Sequence, residues 1–259
     1  MRRFVLAIVV LIAGLGVSRA DDLQRIIEAG VVRVGICLGA EPAGYRDSEG
    51  NPRGYDVEVA TLLAEALGVN LDIVEVTGAT RIPDLLAGRI DIIACNITAT
   101  TERARSMAFS APYLRTGIKL LVRQGAGIDG FEDIGPETRF VVGRGTTGEA
   151  LAREMAPQAQ FTYVANPGEA TLLMIGGEGD VYAEDSLVID YIAKVHPTQL
   201  EALPQTHSFD AICFGIRQGN PDLLRWLDLF ASIYVSSGKY AEVYDRWWGG
   251  EPPPLTAVW

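Results

Sequence analysis

Short apolar runs alternate with amphipathic segments along the first hundred residues of the chain. Residues 31–37, 71–76 and 90–94 are apolar runs of the length that predicts buried strands. Residues 57–67 repeat apolar side chains at helical spacing, and Gly68 follows them, where a helix end favours glycine. Strands that alternate with helices in this way are typical of an α/β unit with a parallel sheet.

A second α/β series begins near residue 140 and interrupts the first. Its predicted strands, with helices between them, are residues 140–142, 161–164 and 180–183. After a segment rich in helix breakers, the sequence predicts one more strand and two helices, at residues 211–216, 222–234 and 241–248. The chain therefore predicts two lobes, with the second inserted into the first.

The lobe boundaries follow from the breaks between these series. We expect lobe 1 to comprise residues 21–114 and 208–259, and lobe 2 to comprise residues 115–207. The two crossovers between the lobes are expected near residues 114–117 and 205–209.

The first twenty residues have the pattern of a secretory signal peptide. Arg2 and Arg3 precede an apolar run at residues 4–17, and residues 18–20 form a small–x–small cleavage site. The apolar run is too short to favour a retained membrane anchor. We expect cleavage after Ala20 and export to the periplasm, with no direct membrane insertion of the mature chain.

The net negative charge of the chain argues against some classes of binding partner. The formal net charge is −11, and removal of the three arginines of the signal segment brings it to −14. Such a charge argues against binding to nucleic acid or to an anionic membrane surface.

Residues 96–113 carry a candidate anion site. They follow a predicted strand, and Thr100 or Thr101 is suited to cap a short helix. Arg103 falls in the first turn of that helix, where a cation opposes the helix dipole unless an anion is also bound. The alternative is a solvated surface arginine that pairs with Glu102. The sequence alone leaves both interpretations open.

Two further features lie in the second series. Residues 143–148 fit G-x-G-x-x-G after a strand, but the next strand ends at Asn166, without the acidic residue that a dinucleotide site requires. Asp185 lies just past a strand end, where open α/β sheets bind ligands, although an aspartate also caps a helix well there. Strand alternation predicts that Glu184 points the opposite way.

The sequence gives little support for a catalytic site or a metal site. The chain has no G-x-S-x-G or H-E-x-x-H motif, and its two histidines, His196 and His207, are isolated. We expect no metal and no cofactor.

The three cysteines, Cys37, Cys95 and Cys213, all fall in predicted strands of lobe 1. Export favours disulfides, but an odd number leaves at least one thiol unpaired, and buried free thiols also pack as small apolar groups. We expect no obligatory disulfide.

Several motifs in register resemble one known family. T-x-T-x-x-R at residues 98–103, F-S-x-P-Y at 109–113, G-Y-D-V at 54–57 and R-I-P-D-L-L-A-G-R-I-D-I-I at 81–93 are similar to the periplasmic polar-amino-acid-binding proteins of ABC importers, solute-binding family 3. The resemblance covers about residues 23–248.

The resemblance implies a fold and a function. The fold is the type II periplasmic-binding-protein fold, with two lobes, each a mostly parallel sheet flanked by helices, and two crossover hinge strands. The function is capture of a polar amino acid by hinge closure and its delivery to the membrane permease of an ABC importer. The resemblance implies a binding protein that is not an enzyme, and we expect a monomer.

The resemblance also implies site residues. Arg103 aligns with the arginine that holds the ligand α-carboxylate, and Asp185 with the aspartate that binds the α-ammonium. The remaining candidates are Thr98 and Asn96, with the backbone near it, together with Cys37 and Arg81 in lobe 1, and Thr146 and Thr147 in lobe 2.

The side-chain pocket departs from the family pattern. Family members commonly have an aromatic residue or an arginine after the first strand, where this chain has Cys37, Leu38, Gly39 and Ala40. Arg81 either reads a ligand side chain, as the similarity to glutamate/aspartate-type members suggests, or is a surface arginine bonded to Asp47. A ligand-facing Arg81 favours glutamate, aspartate or glutamine over a basic ligand, because like charges repel strongly in a desolvated cleft.

A second function is compatible with the same family. Cyclohexadienyl dehydratases resemble it in fold, and act on prephenate or arogenate. Such an enzyme needs a carboxylic acid in the cleft as proton donor, for which Asp185 and Glu184 are the candidates. The pair of Arg103 and Asp185 suits an α-amino acid and favours binding.

Overall fold

The computed structural model describes residues 21–255, which form two α/β lobes. The predicted signal peptide, residues 1–20, lies outside the described residues. Between residues 21 and 255, no helix has the length and apolar character needed to cross a membrane.

The first lobe is built on a five-stranded sheet with the strand order β5-β1-β6-β13-β7. The elements before the second lobe are α1 (Asp22–Ala29), β1 (Val31–Ile36), β2 (Gly39–Ala40), β3 (Gly44–Arg46), β4 (Pro52–Arg53), α2 (Tyr55–Leu67), β5 (Asn70–Glu75), α3 (Arg81–Leu86), β6 (Ile92–Ile93) and β7 (Met107–Thr116). Strands β2, β3 and β4 form a small separate sheet.

The second lobe has a five-stranded sheet with the order β10-β9-β11-β8-β12. Its elements are β8 (Ile118–Arg123), β9 (Arg139–Gly143), α4 (Thr147–Met155), β10 (Gln160–Val164), α5 (Pro167–Ile175), β11 (Val181–Asp185), α6 (Ser186–Val195) and β12 (Leu200–Ala202). The chain then returns to the first lobe as β13 (Asp210–Arg217), α7 (Pro221–Ser236) and α8 (Lys239–Trp248).

Each sheet has a parallel part and an antiparallel part. In the first lobe β1 pairs in parallel with β5 and β6, while β13 is antiparallel to β6 and β7. In the second lobe β9 pairs in parallel with β10 and β11, while β8 is antiparallel to β11 and β12. The carboxyl ends of the parallel strands lie at one edge of each sheet, which is where open α/β folds bind ligands.

Local sequence determines the helix ends that the pattern predicted. Asp21 caps α1 by accepting a hydrogen bond from Leu23 N, and Gly30 ends this helix in the left-handed conformation. Gly68 ends α2 in the same way, with φ 69°. The left-handed Gly68 confirms the predicted end of α2, which begins at Tyr55, two residues before the predicted start.

The segment after β6 differs from the prediction. The short helix expected after Thr100 is a single 3-10 turn, Arg103–Arg105, in which Thr100 Oγ1 accepts from Arg103 N at 3.2 Å. The chain then continues as the ten-residue strand β7, which the apolar pattern did not predict. Tyr113 of β7 is fully buried and stacks on Phe214 of β13, with ring centroids 4.4 Å apart.

The chain crosses between the lobes twice, at neighbouring positions. Gly117 separates β7 from β8, and a Cβ atom there would overlap the carbonyl oxygen of Ser208 in the returning segment. Ser208 Oγ accepts a hydrogen bond from Ile118 N at 2.9 Å. This close approach requires glycine at position 117, and the hydrogen bond between Ile118 and Ser208 links the two crossing segments.

Candidate functional site

A cavity of about 70 Å³ lies between the two lobes. Both lobes contribute to it at the ends of their parallel strands. Its lining residues are Cys37, Gly39, Ala40, Glu75, Val76, Thr77, Gly78, Arg81, Cys95 and Asn96 from the first lobe, and Gly143, Thr146, Thr147, Ala165, Asn166, Pro167, Glu184, Asp185 and Val188 from the second. Six of the eight predicted site residues line this cavity, and Thr98 and Arg103 lie beside it.

Asn96 connects the first lobe to the second. Its backbone has φ 46°, a left-handed conformation that asparagine tolerates better than most residues. Asn96 N donates to Asp56 Oδ2 at 3.0 Å, and the side-chain Nδ2 donates to Asp185 Oδ2 across the cleft. The buried Oδ1 atom of Asn96 has no hydrogen-bond partner.

Asp56 supports this turn from inside the first lobe. It is 1% exposed and also accepts a hydrogen bond from the Tyr113 hydroxyl at 2.8 Å. Burial raises the pKa of Asp56 to about 6, because the ionised form is desolvated. In the sequence Asp56 stands out only as part of the G-Y-D-V motif, and nothing there indicates its contact with the site.

Arg81 is a cavity residue, and the alternative of a surface arginine bonded to Asp47 is wrong. Arg81 is 4% exposed, and its Nη1 donates to Cys95 O at 2.5 Å. Asp47 instead accepts from Arg53 Nε at 3.1 Å. Burial, and then the nearby charge of Arg103, lower the pKa of Arg81 to about 10. Arg81 Nε is buried without a hydrogen-bond partner.

Asp185 presents an unpartnered acceptor from the second lobe. It ends β11 and precedes α6, but its side chain makes no capping hydrogen bond, so the alternative role as a helix cap is not realised. Its Oδ1 atom is buried without a partner. Burial, followed by the charge of Glu184, raises the pKa of Asp185 well above its usual range.

Glu184 also lines the cavity, so the prediction that it faces away is wrong. Alternation fails because β11 ends here and the chain turns into α6 at Asp185, with φ −54° and ψ 134°. Glu184 accepts hydrogen bonds from the Tyr182 hydroxyl at 2.9 Å and from Asp185 N at 3.1 Å. Burial raises the pKa of this carboxyl.

The glycine-rich turn at residues 143–148 forms the start of α4. Thr146 Oγ1 accepts from Glu149 N at 3.1 Å, and Glu149 Oε2 accepts from Gly145 N at 2.8 Å, which is a reciprocal helix cap. Thr146 and Thr147 both line the cavity. Thr147 Oγ1 lies 3.4 Å from Thr98 Oγ1 of the first lobe.

Arg103 joins the lobes at the side of the cavity. Its Nη1 donates to Thr98 O at 2.7 Å, and its Nη2 donates to Gly145 O at 3.0 Å. Burial lowers the pKa of Arg103, while the nearby Asp185 carboxylate opposes that shift. In this closed arrangement both Nη atoms of Arg103 are therefore bonded to protein carbonyl groups.

Two of the cysteines form a disulfide, which corrects the expectation of no obligatory disulfide. Cys37 and Cys95 are bonded, with Cα atoms 5.0 Å apart, and both line the cavity. They follow neighbouring strands whose register pairs Gly35 with Ile93, which places residues 37 and 95 opposite each other. Cys213 is a buried free thiol.

The donors and acceptors of the cavity suit a small polar molecule. In the part of the chain that the structure describes, no group of three or more histidine, cysteine and acidic residues has a metal-binding arrangement. The cavity instead combines an arginine, the two buried carboxyl groups of Glu184 and Asp185, and amide and hydroxyl groups, which complement a molecule that carries both an anionic and a cationic group.

Known proteins are similar to this chain in sequence and in fold. The glutamine-binding protein GlnH of a Bacillus subtilis ABC transporter is 29% identical over 240 residues, covering 91% of this chain and 87% of that protein. The cyclohexadienyl dehydratase of Pseudomonas aeruginosa is 29% identical over 248 residues, covering 93% and 92%. An ancestral amino-acid-binding protein, a precursor of cyclohexadienyl dehydratase, has a crystal structure that matches with a TM-score of 0.83 at 32% identity, covering 88% of this chain and 99% of that one.

The family assignment rests on a match that spans both lobes. The family model of the bacterial extracellular solute-binding proteins matches residues 32–250, which include both sheets and the cavity between them. The resemblance that the motifs indicated is confirmed, and the chain belongs to the bacterial extracellular solute-binding proteins, family 3.

Proposed function

We propose that this protein captures a polar amino acid between its lobes and delivers it to the permease of an ABC importer. One observation carries the proposal: Arg81 Nε, Asp185 Oδ1 and Asn96 Oδ1 are all buried, unpartnered and on residues that line one cavity. Buried polar atoms without partners are costly, so a ligand that satisfies them is strongly favoured. An amino acid with an acceptor on its side chain supplies that acceptor for Arg81 and an ammonium group for the two oxygens.

The related proteins support this function. The family consists of extracellular solute-binding proteins, and GlnH carries the name of an ABC transporter glutamine-binding protein. By analogy, the chain acts in the periplasm after cleavage at Ala20, as a monomer, and binds rather than transforms its ligand. Lobe 1, residues 21–114 and 208–259, and lobe 2, residues 115–207, close about the paired crossings at Gly117 and Ser208.

The proposed roles divide between the lobes. Arg103 takes the ligand α-carboxylate, as the family pattern implies, with Thr98, Thr146 and Thr147 beside it. Asp185 takes the α-ammonium together with Asn96. Arg81, above the Cys37–Cys95 disulfide, reads an acceptor on the ligand side chain, which favours glutamate, aspartate or glutamine.

A thermal-shift screen of the twenty amino acids, followed by calorimetry on those that bind, tests the proposal. We expect one or a few polar amino acids to bind with a 1:1 stoichiometry and to raise the melting temperature with concentration. Absence of binding by all twenty would reject the function. Tighter binding of arginine or lysine than of glutamate, aspartate and glutamine would reject the role of Arg81 while leaving amino-acid capture intact.

A dehydratase activity is the second candidate, and Glu184 favours it. A buried carboxyl group with a raised pKa in a ligand cavity is suited to donate a proton, and the Pseudomonas aeruginosa relative is a cyclohexadienyl dehydratase. Incubation with prephenate or arogenate, followed by detection of the aromatic product, tests it. Product formation that is lost in the Glu184→Gln variant would establish an enzyme.

A further inference from the structure

A disulfide links two strand ends at the wall of the cavity. Cys37 comes directly after β1, and Cys95 comes two residues after β6. The backbone ladder between these strands ends with a hydrogen bond from Ala94 N to Gly35 O at 3.0 Å. The covalent bond between Cys37 and Cys95 is therefore the next connection between the two strand ends.

The residues held by this bond carry polar groups of the cavity. Cys95 O accepts the hydrogen bond from Arg81 Nη1, and that nitrogen also lies 3.9 Å from Cys95 Sγ. The next residue, Asn96, reaches Asp185 of the second lobe. Arg81 and Asn96 thus both depend on the position of Cys95, and each presents an unpartnered buried atom to the cavity.

We propose that the Cys37–Cys95 disulfide is a positioning group for ligand binding, so that its reduction weakens the capture of a polar amino acid. The affinity part of this inference rests on the proposed function. Reduction by a dithiol breaks the sulfur–sulfur bond and transfers two hydrogen atoms to give two cysteine thiols, while the dithiol is oxidised to its own disulfide. The chain then senses the thiol–disulfide balance of its compartment through its ligand cavity.

The physical reason is preorganisation. After reduction the two sulfur atoms must move apart beyond bonding distance. Because both cysteines line the cavity, this movement changes the shape of the cavity wall. The turn at Asn96, with its left-handed backbone, also loses its covalent connection to β1. Binding must then order this turn, and that cost reduces the affinity.

Calorimetry on the oxidised and reduced protein tests the affinity part. L-glutamine, L-glutamate and L-arginine serve as probes, before and after treatment with dithiothreitol. We expect the affinity for the probe that binds to fall by about tenfold or more on reduction. The Cys37→Ser/Cys95→Ser double variant should bind as weakly as the reduced protein and show no response to dithiothreitol. Cys213→Ser is the matched control, because Cys213 is a buried free thiol, and it should keep both the affinity and the response.

Hydrogen exchange without any ligand tests the positioning part independently. We expect reduction to speed exchange in residues 91–98 and to leave β9 and β11 of the second lobe unchanged. Unchanged exchange at residues 91–98, or a rise of equal size in both lobes, would overturn the positioning role. Equal affinity of the oxidised and reduced protein would also overturn it. If none of the three probes binds, an amino acid that binds in the screen of all twenty replaces them, and the absence of any such amino acid rejects the proposed function. The exchange pattern decides in either case whether the disulfide positions this segment.

Discussion

Arg103 of the first lobe donates a hydrogen bond from Nη2 to the carbonyl oxygen of Gly145 in the second lobe, at 3.0 Å. The same guanidinium holds its own lobe through Thr98 O. Gly145 adopts φ 77°, and a Cβ atom there would lie 2.8 Å from Gly78 O of the first lobe. Close contact between the lobes at this point therefore depends on glycine and on Arg103 together.

Arg103→Ala should abolish or severely weaken amino-acid binding while the protein stays folded. Loss of a half-buried, charged hydrogen-bonding group that bridges a closed cleft costs on the order of 2–5 kcal/mol. Calorimetry measures the affinity, and circular dichroism checks the fold. Arg105→Ala is the control, because Arg105 is exposed on the same 3-10 turn. Unchanged affinity in Arg103→Ala would refute both the carboxylate role and the bridging role.

The bridging contact makes a separate prediction for the protein without ligand. Small-angle scattering should give a larger radius of gyration for unliganded Arg103→Ala than for the unliganded parent protein, since the bond to Gly145 O stabilises closure. With saturating ligand the parent protein should be at least as compact as without it. Identical unliganded profiles would mean that Arg103 acts only on the ligand.

Arg81→Gln should change ligand preference more than overall stability. The glutamine side chain at position 81 keeps a donor near Cys95 O. It removes the positively charged guanidinium, of which Nε is the unpartnered nitrogen. Binding of glutamate should weaken more than that of glutamine, because only glutamate loses an ion pair between its side-chain carboxylate and the guanidinium. A competition series at fixed ionic strength measures the ratio. An equal loss for both amino acids would contradict the role of Arg81 in reading the side chain.

Asp185→Asn should weaken the binding of ligands with an α-amine more than the binding of analogues that lack this group. Because its pKa is raised in the unliganded cavity, Asp185 must lose a proton to pair with an ammonium group, so amino-acid affinity should rise as pH rises through that pKa. Calorimetry in buffers of different ionisation enthalpy should detect the released proton. Asp190→Asn is the control, because Asp190 is exposed on α6, pairs with Lys119 and does not line the cavity. Equal losses for amine and non-amine ligands would remove Asp185 from the ammonium site.

Local sequence signals predicted the parts of the fold that depend on local physics. The Gly68 cap and the buried strands could be predicted from residue type and spacing, and the position of Asp185 followed from the end of a strand. The disulfide could not, because it depends on the register of β1 against β6, which are far apart in the chain. Glu184 was misplaced because period-two alternation applies only while the strand continues.

Strand β7 was missed for a related reason. Its apolar and polar residues do not alternate clearly, and it is stabilised by pairing with β13, more than ninety residues later. The hydrogen bonds from Arg103 to backbone carbonyl groups could not be predicted from the sequence either. Every residue has a backbone carbonyl group, so residue type does not indicate which one accepts.

Asp56→Asn gives a test of how the first lobe supports the site. The variant keeps the shape of the side chain but cannot accept from both Asn96 N and the Tyr113 hydroxyl as the carboxylate does, so ligand affinity should fall. Asp91→Asn is the matched control. Asp91 is equally buried in the same lobe, bonds Arg33 and does not line the cavity, so its loss should lower stability without a specific loss of affinity.

The two variants should also change the pH dependence of stability in opposite directions. The folded-state pKa of Asp56 is raised from 3.8 to about 6, so its ionisation destabilises the fold as pH rises across that window. The stability of the parent protein relative to Asp56→Asn should therefore fall between pH 4 and pH 6, by at most about 3 kcal/mol.

The pKa of Asp91 is lowered, because hydrogen bonds from Arg33 and the charge of Arg25 outweigh burial. The stability that Asp91 contributes is therefore present above pH 4 and is lost as pH falls further. Urea denaturation of the three proteins from pH 3 to pH 7 measures both trends. The same slope in the Asp56→Asn and Asp91→Asn comparisons would contradict the assignment of Asp56 as a desolvated carboxyl group behind Asn96.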